Sequence, residues 1–229
     1  MRITIIHPSR SRPEKSKKTI QKWFKDADRM REVIVSLDDD DPFVSDYKNA
    51  YQMNALVSKN RSCVDAINNA AKLAEGDILM VVSDDTDCFP GWDTALLKVV
   101  EGKTDWILKT DDDIQDWIIT LPIMDRAYYN RFGYIYHPDY THMFADTYMT
   151  AVADITGRKI KSKLLFKHLH PGHSGGKEMP DALNRRNDLT WMQGQDTFIR
   201  LMNQFSKEDI RKVEDRTMIN WFRQHGVLK

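Results

Sequence analysis

Along the first hundred positions, short apolar runs alternate with longer stretches that carry an apolar stripe. Ile3-Thr4-Ile5-Ile6, Glu32-Val33-Ile34-Val35-Ser36 and Ile78-Leu79-Met80-Val81-Val82 are runs of strand length. A run apolar on both faces, bounded by Gly and polar turn residues, reads as a buried strand of a parallel sheet. Between them, Ile20, Trp23, Phe24 and Ala27 form one helical face. Ser11 and Glu14 have capping-box spacing ahead of it, and Pro13 suits a first helical turn. Val64, Ile67, Ala71 and Ala74 mark a second helix, opened by Ser62 and Asp65 and stopped by Gly76. Trp92, Leu96 and Val99 mark a short third helix that ends near Gly102.

Beyond position 100 the alternation loosens. Trp106-Ile107-Leu108 and Trp117-Ile118-Ile119-Thr120 predict two strands forming a hairpin around Asp111-Asp112-Asp113, which reads as a solvated turn. Helices are expected over 125–132, with Gly133 as the stop, and over 144–155, ending before Gly157. Leu164 to His168 predicts a strand, and the chain from Trp191 onward is mostly helical. The fold class expected is α/β: a mostly parallel, Rossmann-like sheet flanked by helices, with a helical C-terminal extension. One domain over 1–229 is expected, divided at about 100 and 190.

Composition narrows the partners. Lysine and arginine number 34 against 34 aspartates and glutamates, so no global field draws in nucleic acid or an anionic membrane. No apolar run approaches the roughly 20 residues of a membrane span, and the chain opens on a strand rather than a signal-peptide pattern. Cys63 and Cys88 make neither a disulfide framework nor a zinc pattern. A cytoplasmic location is expected.

Chemistry concentrates at strand ends. The strand at 78–82 runs into Asp84, Asp85 and Asp87. In open parallel sheets, ligands bind beyond the carboxyl ends of the strands. Three acids there repel one another unless a cation sits among them. The D-x-D spacing of Asp85 and Asp87 suits Mg2+ or Mn2+, which bind through one or two carboxylates plus substrate phosphates. The plainer reading is that these aspartates decorate a turn and cap the helix at Trp92.

In order, these pieces resemble a family 2-type glycosyltransferase of the GT-A fold. The resemblance is carried by Ile5-Ile6-His7-Pro8-Ser9-Arg10, Val35-Ser36-Leu37-Asp38-Asp39, Asn60-Arg61 through Asn68, Gly76-Asp77-Ile78-Leu79, the D-x-D, and Pro90-Gly91-Trp92-Asp93. It implies a nucleotide-diphosphate sugar donor bound over the first half of the chain, 1–100. Pro8, Ser9, Arg10, Asp38, Asp39, Arg61, Asp84 and Asp85 are its candidate donor-binding residues, with Asp38 or Asp39 on the base or ribose. It further implies Mn2+ or Mg2+ on Asp85 and Asp87, with His168 or His170 completing the shell. The second half, 101–190, would then take a sugar, lipid, protein or other hydroxyl acceptor. Asp146, in Met143-Phe144-Ala145-Asp146, matches the family's general base, with Ala145 where a Glu is usual; the same resemblance implies inversion at the transferred carbon. Pro-Ser-Arg after the first strand and four consecutive aspartates at 38–41 also depart from the family pattern, leaving base and sugar open.

Two rival functions remain at this level: a nucleotidyltransferase, and a non-catalytic nucleotide- or sugar-binding module. Gly172-His173-Ser174-Gly175-Gly176 matches a hydrolase nucleophile elbow in spacing but lacks the strand leading directly into the serine. A loop over the donor phosphates is the role expected there. The absence of Q-x-x-R-W argues against a processive membrane polymerase.

Overall fold

The computed structural model describes residues 1–29, 32–51, 55–169, 180–214 and 216–226. Seven strands form one sheet: β1 (Ile3–Pro8), β2 (Glu32–Asp38), β3 (Ala55–Ser58), β4 (Ile78–Val81), β6 (Ile107–Asp111), β7 (Ile123–Asp125) and β8 (Lys159–Leu165). Their order is β3-β2-β1-β4-β7-β6-β8. All pairings are parallel except those of β7, which runs antiparallel between β4 and β6. A separate two-strand ribbon pairs β5 (Thr86–Asp87) with β9 (Lys167–His168). The helices are α1 (Pro13–Lys25), α2 (Val44–Tyr51), α3 (Cys63–Leu73), α4 (Trp92–Val99), α5 (Arg126–Phe132), α6 (Ala145–Thr156), α7 (Ala182–Asp188), α8 (Trp191–Met202), α9 (Lys207–Ile210) and α10 (Arg216–Gln224).

The apolar strands are buried on both faces, as their composition requires. On one face Ile5, Val35, Leu37, Ile78, Met80 and Leu108 pack with Ile20 and Trp23 of α1 and Trp92 and Leu96 of α4. On the other, Ile6, Leu79, Val81, Ile107 and Met124 pack with α3, α5, α6 and α8. Alternate residues of one strand enter opposite cores, the period of two that a central strand imposes.

Four local expectations change. Helix α1 starts at Pro13 behind Arg12, with no side-chain cap; the Ser11 amide is instead taken by Asp41 Oδ2 at 2.7 Å. Gly76 does not stop α3, whose C-cap is Ala74. A Cβ on Gly76 would lie 2.5 Å from Thr4 Oγ1 and 2.7 Å from Thr4 N, so the glycine is there for close approach to β1. The segment at 117–120 is no strand, because Gln115 Oε1 accepts the amides of Trp117 and Ile118 at 2.8 and 2.6 Å. The hairpin partner of β6 is β7, directly after Pro122. Asp112 is not solvated either; it is 1% exposed.

Candidate active site

The chain leaves β1 toward β2 and β3 on one side and returns through β4 on the other, so the β1/β4 boundary is the sheet's switch point. That is where an open α/β sheet places its ligand crevice. Ser9, after β1, and Asp84, after β4, meet at this point. Ser9 Oγ lies 3.0 Å from both Asp84 oxygens and 2.7 Å from the Tyr47 hydroxyl. His7 Nε2 is 3.1 Å from Asp84 Oδ1, and Thr19 Oγ1 donates to the Asp84 carbonyl at 2.8 Å. Both Ser9 and Asp84 are buried. Asp84 thus ties β1, β4 and α1 together beneath the crevice.

The rim carries charge. Arg10, two residues past the end of β1, donates to Asp38 Oδ2 at 2.7 Å and to Asp40 at 2.5 Å. Asn60 Nδ2 donates to the other Asp38 oxygen at 3.0 Å. Arg10, Asp38 and Asn60 therefore meet, whereas Asp39 is exposed and Arg61 forms a bidentate pair with Asp65, at 2.6 and 2.7 Å, on the surface. Arg12, to which the sequence reading gave no role, holds Asp181 through two bonds of 2.6 and 2.7 Å and reaches within 3.9 Å of Asp84. Its alternation with Arg10 in Arg10-Ser11-Arg12 was the available signal. Cys63 is also new. Its thiol, at the start of α3, is pushed up to about 12 by desolvation and the charges of Asp38, Asp84 and Asp85, although the residue is exposed by area.

The ribbon of β5 and β9 brings the strongest pair together. Thr86 lies opposite His168, and Leu169 N donates to the Asp85 carbonyl at 2.6 Å. His168 Nε2 stands 3.5 Å from Asp85 Oδ2. Burial pushes the Asp85 carboxyl up. The hydrogen bond and charge of His168, the Ser83 hydroxyl and the Lys15 charge outweigh it and hold Asp85 well below the usual carboxylate range. Burial pushes the His168 imidazole down, but Asp85, Asp112 and Asp146 raise it overall. Asp87, the other D-x-D acid, accepts the Cys88 amide at 2.9 Å and lies 3.2 Å from Lys22 Nζ. Among the described residues, no three His, Cys, Asp or Glu side chains gather as a ready metal cage. The ionised Asp85 carboxylate fits Mn2+ or Mg2+, hard ions that bind through one or two carboxylates and complete their shell from phosphate and water, and His168 beside it offers one imidazole nitrogen. His170 and the 172–176 loop lie outside the described residues.

Asp146 opens α6, and Phe144 before it adopts a left-handed conformation (φ 68°). Burial raises the Asp146 carboxyl against the Thr147 amide and the His142 charge, which lower it. Its charge reaches both His168 and Tyr136, and Tyr136 also feels Cys63. Asp146 is thus within electrostatic reach of the imidazole that faces Asp85.

No family model matches the chain, and no curated protein matches it by sequence. Solved structures do. A mannosyltransferase from Pyrobaculum calidifontis, solved with GDP-Man and Mn2+, superposes with a TM-score of 0.59 at 12% identity over 93% of this chain and 72% of that one. Glucosyl-3-phosphoglycerate synthase from Mycobacterium tuberculosis, with Mg2+ and UDP, gives 0.63 at 9% identity over 86% and 79%. S. aureus TarS 1-349, with UDP-GlcNAc, gives 0.60 at 15% identity over 94% and 68%; of a longer TarS chain, this protein covers 41%. The fold is therefore the GT-A fold that these glycosyltransferases share.

Proposed function

We propose that the protein is a metal-dependent glycosyltransferase that moves one sugar, with inversion, from a nucleotide-diphosphate sugar to an acceptor hydroxyl. The observation that carries this reading is the meeting of Asp85 and His168, 3.5 Å apart, at the carboxyl end of β4. Asp146 is close enough for its charge to raise the same imidazole. The three solved relatives bind GDP-Man or UDP species, two of them alongside a divalent ion, which supports such a donor here.

Asp85 and His168 would hold Mn2+ or Mg2+, whose charge stabilises the departing diphosphate. Arg10, Asp38 and Asn60 form the rim where the nucleoside would lie. The Asp146 carboxylate accepts the acceptor's hydroxyl proton as that oxygen bonds to the anomeric carbon. The bond from that carbon to the phosphate oxygen breaks, and the diphosphate leaves with the electron pair. Desolvation of Asp146 makes its carboxylate a stronger base than a solvated one.

A thermal-shift screen of nucleoside diphosphates, with and without Mn2+, tests the reading. At least one nucleotide should raise Tm, and by more with Mn2+ present. A flat screen, or shifts indifferent to metal, would remove the reading.

A further inference from the structure

We propose that Asp112 is a positioning residue for the metal centre: the loop it organises sets His168 opposite Asp85. The inference rests on the reading that Asp85 and His168 hold the cation. It absorbs an acidic run, Asp111-Asp112-Asp113, that reads in the sequence as a solvated turn.

The Asp112 carboxylate is almost fully occupied. Oδ1 accepts the amides of Ile114 and Gln115, both at 2.9 Å. Oδ2 accepts Gln115 Nε2 at 2.6 Å and Thr120 Oγ1 at 2.7 Å. Four donors on one buried carboxylate close the 112–120 segment into a ring whose shape depends on an acceptor at both oxygens. That ring bonds directly to β9. The Asp112 carbonyl accepts the His168 amide at 3.0 Å, and the Asp111 carbonyl accepts the Phe166 amide at 2.9 Å. From the other side the Asp85 carbonyl accepts the Leu169 amide. The backbone of His168 is therefore held between two acidic segments, one carrying the carboxylate that its imidazole faces and the other anchored by Asp112. Groups that orient a metal ligand in this way change metal affinity about 10–100-fold when altered.

Asn at 112 keeps the volume but turns one oxygen into a donor facing Gln115 Nε2, whose own Oε1 is engaged with Trp117 and Ile118. The ring must shift, and the Asp112 carbonyl shifts with it. Mn2+ alone, titrated by electron paramagnetic resonance in the absence of nucleotide, reads the consequence without turnover. Asp112→Asn should weaken Mn2+ binding about 10-fold, with Thr120→Val weakening it less and in the same direction. Nucleotide binding in metal-free buffer should stay as in wild type. His168→Ala is the reference. If it loses Mn2+ affinity while Asp112→Asn keeps wild-type affinity, the positioning role is overturned. Wild-type affinity in His168→Ala removes the ligand assignment, and this proposal with it. Should Asp112→Asn not fold, Thr120→Val decides alone, and an unchanged Mn2+ affinity in it overturns the proposal.

Discussion

Asp146 shows how one residue's surroundings set its chemistry. Its Oδ1 accepts the Thr147 amide at 2.7 Å, which favours the charged form, but burial dominates and lifts the pKa above the ordinary carboxylate value. A general base must be ionised, so kcat should fall as pH drops, with a midpoint higher than a solvated aspartate would show. Asp146→Asn should lower kcat by about 10²–10⁴-fold while metal-dependent nucleotide stabilisation persists. A pH–rate profile and a thermal shift on the same variant check both halves; unchanged turnover would sink the assignment. The position of Asp146 was legible in Met143-Phe144-Ala145-Asp146 because a helix start is a local signal. Its raised pKa was not, because burial is set by how the whole chain packs around the helix start rather than by the residues next to it in sequence.

Among the elements, α8 matters more to the site than its place in the tail suggests. Its Gly194 packs on the loop that leads into α6, and a Cβ there would stand 2.3 Å from the Met143 carbonyl oxygen and 3.2 Å from Phe144. Thr190 Oγ1, just before α8, accepts the Met143 amide at 3.2 Å. Helix propensity alone favours Gly194→Ala by about 1 kcal/mol. The clash is with backbone that cannot swing aside, so a net cost of about 1–3 kcal/mol is expected instead. Because the displaced segment delivers Asp146, kcat should fall more than KM rises. Urea denaturation and steady-state kinetics on Gly194→Ala measure the two effects, and a stabilised, fully active variant would refute the packing argument. The order of β1, α1, β2, α3 and β4 was readable from apolar periodicity. The failed strand at 117–120 was not, because one glutamine side chain took the amides a neighbouring strand would have used.

At the scale of the whole molecule, the C-terminal helices are part of the main core. Phe198 and Phe222 are fully buried and stacked with centroids 5.4 Å apart, in the same cluster as Ile6 and Leu79 of the central strands. Lys159 of β8 lies against Asp154 of α6 and within 3.2 Å of Glu214, a second tie between this end of the chain and the sheet. Phe222→Ala should therefore cost about 3–5 kcal/mol, seen as a single cooperative transition moved to lower urea. A separate early transition, with the main one unmoved, would mean that α10 frays independently. Among the described residues no helix is long and apolar enough to cross a membrane.

By itself the sequence determined β1, α1, β2, α3, β4 and α4, and that acids follow the strands, because burial periodicity and turn chemistry act over a few neighbouring residues; α2, β3 and β7 carry no such pattern. It also placed Asp85, His168 and Asp146 at element ends, where side chains can face a shared crevice. The tertiary structure decided how each acid is used. Asp84 turns under the crevice to Ser9 and His7, Asp85 faces His168, Asp87 is drawn to Lys22, and Asp112 is buried as an anchor. Those four carboxylates are alike in the sequence. They differ because strand register and helix packing bring each a different partner, for Ser9 and Asp84 across 75 positions of chain, and no local pattern encodes that.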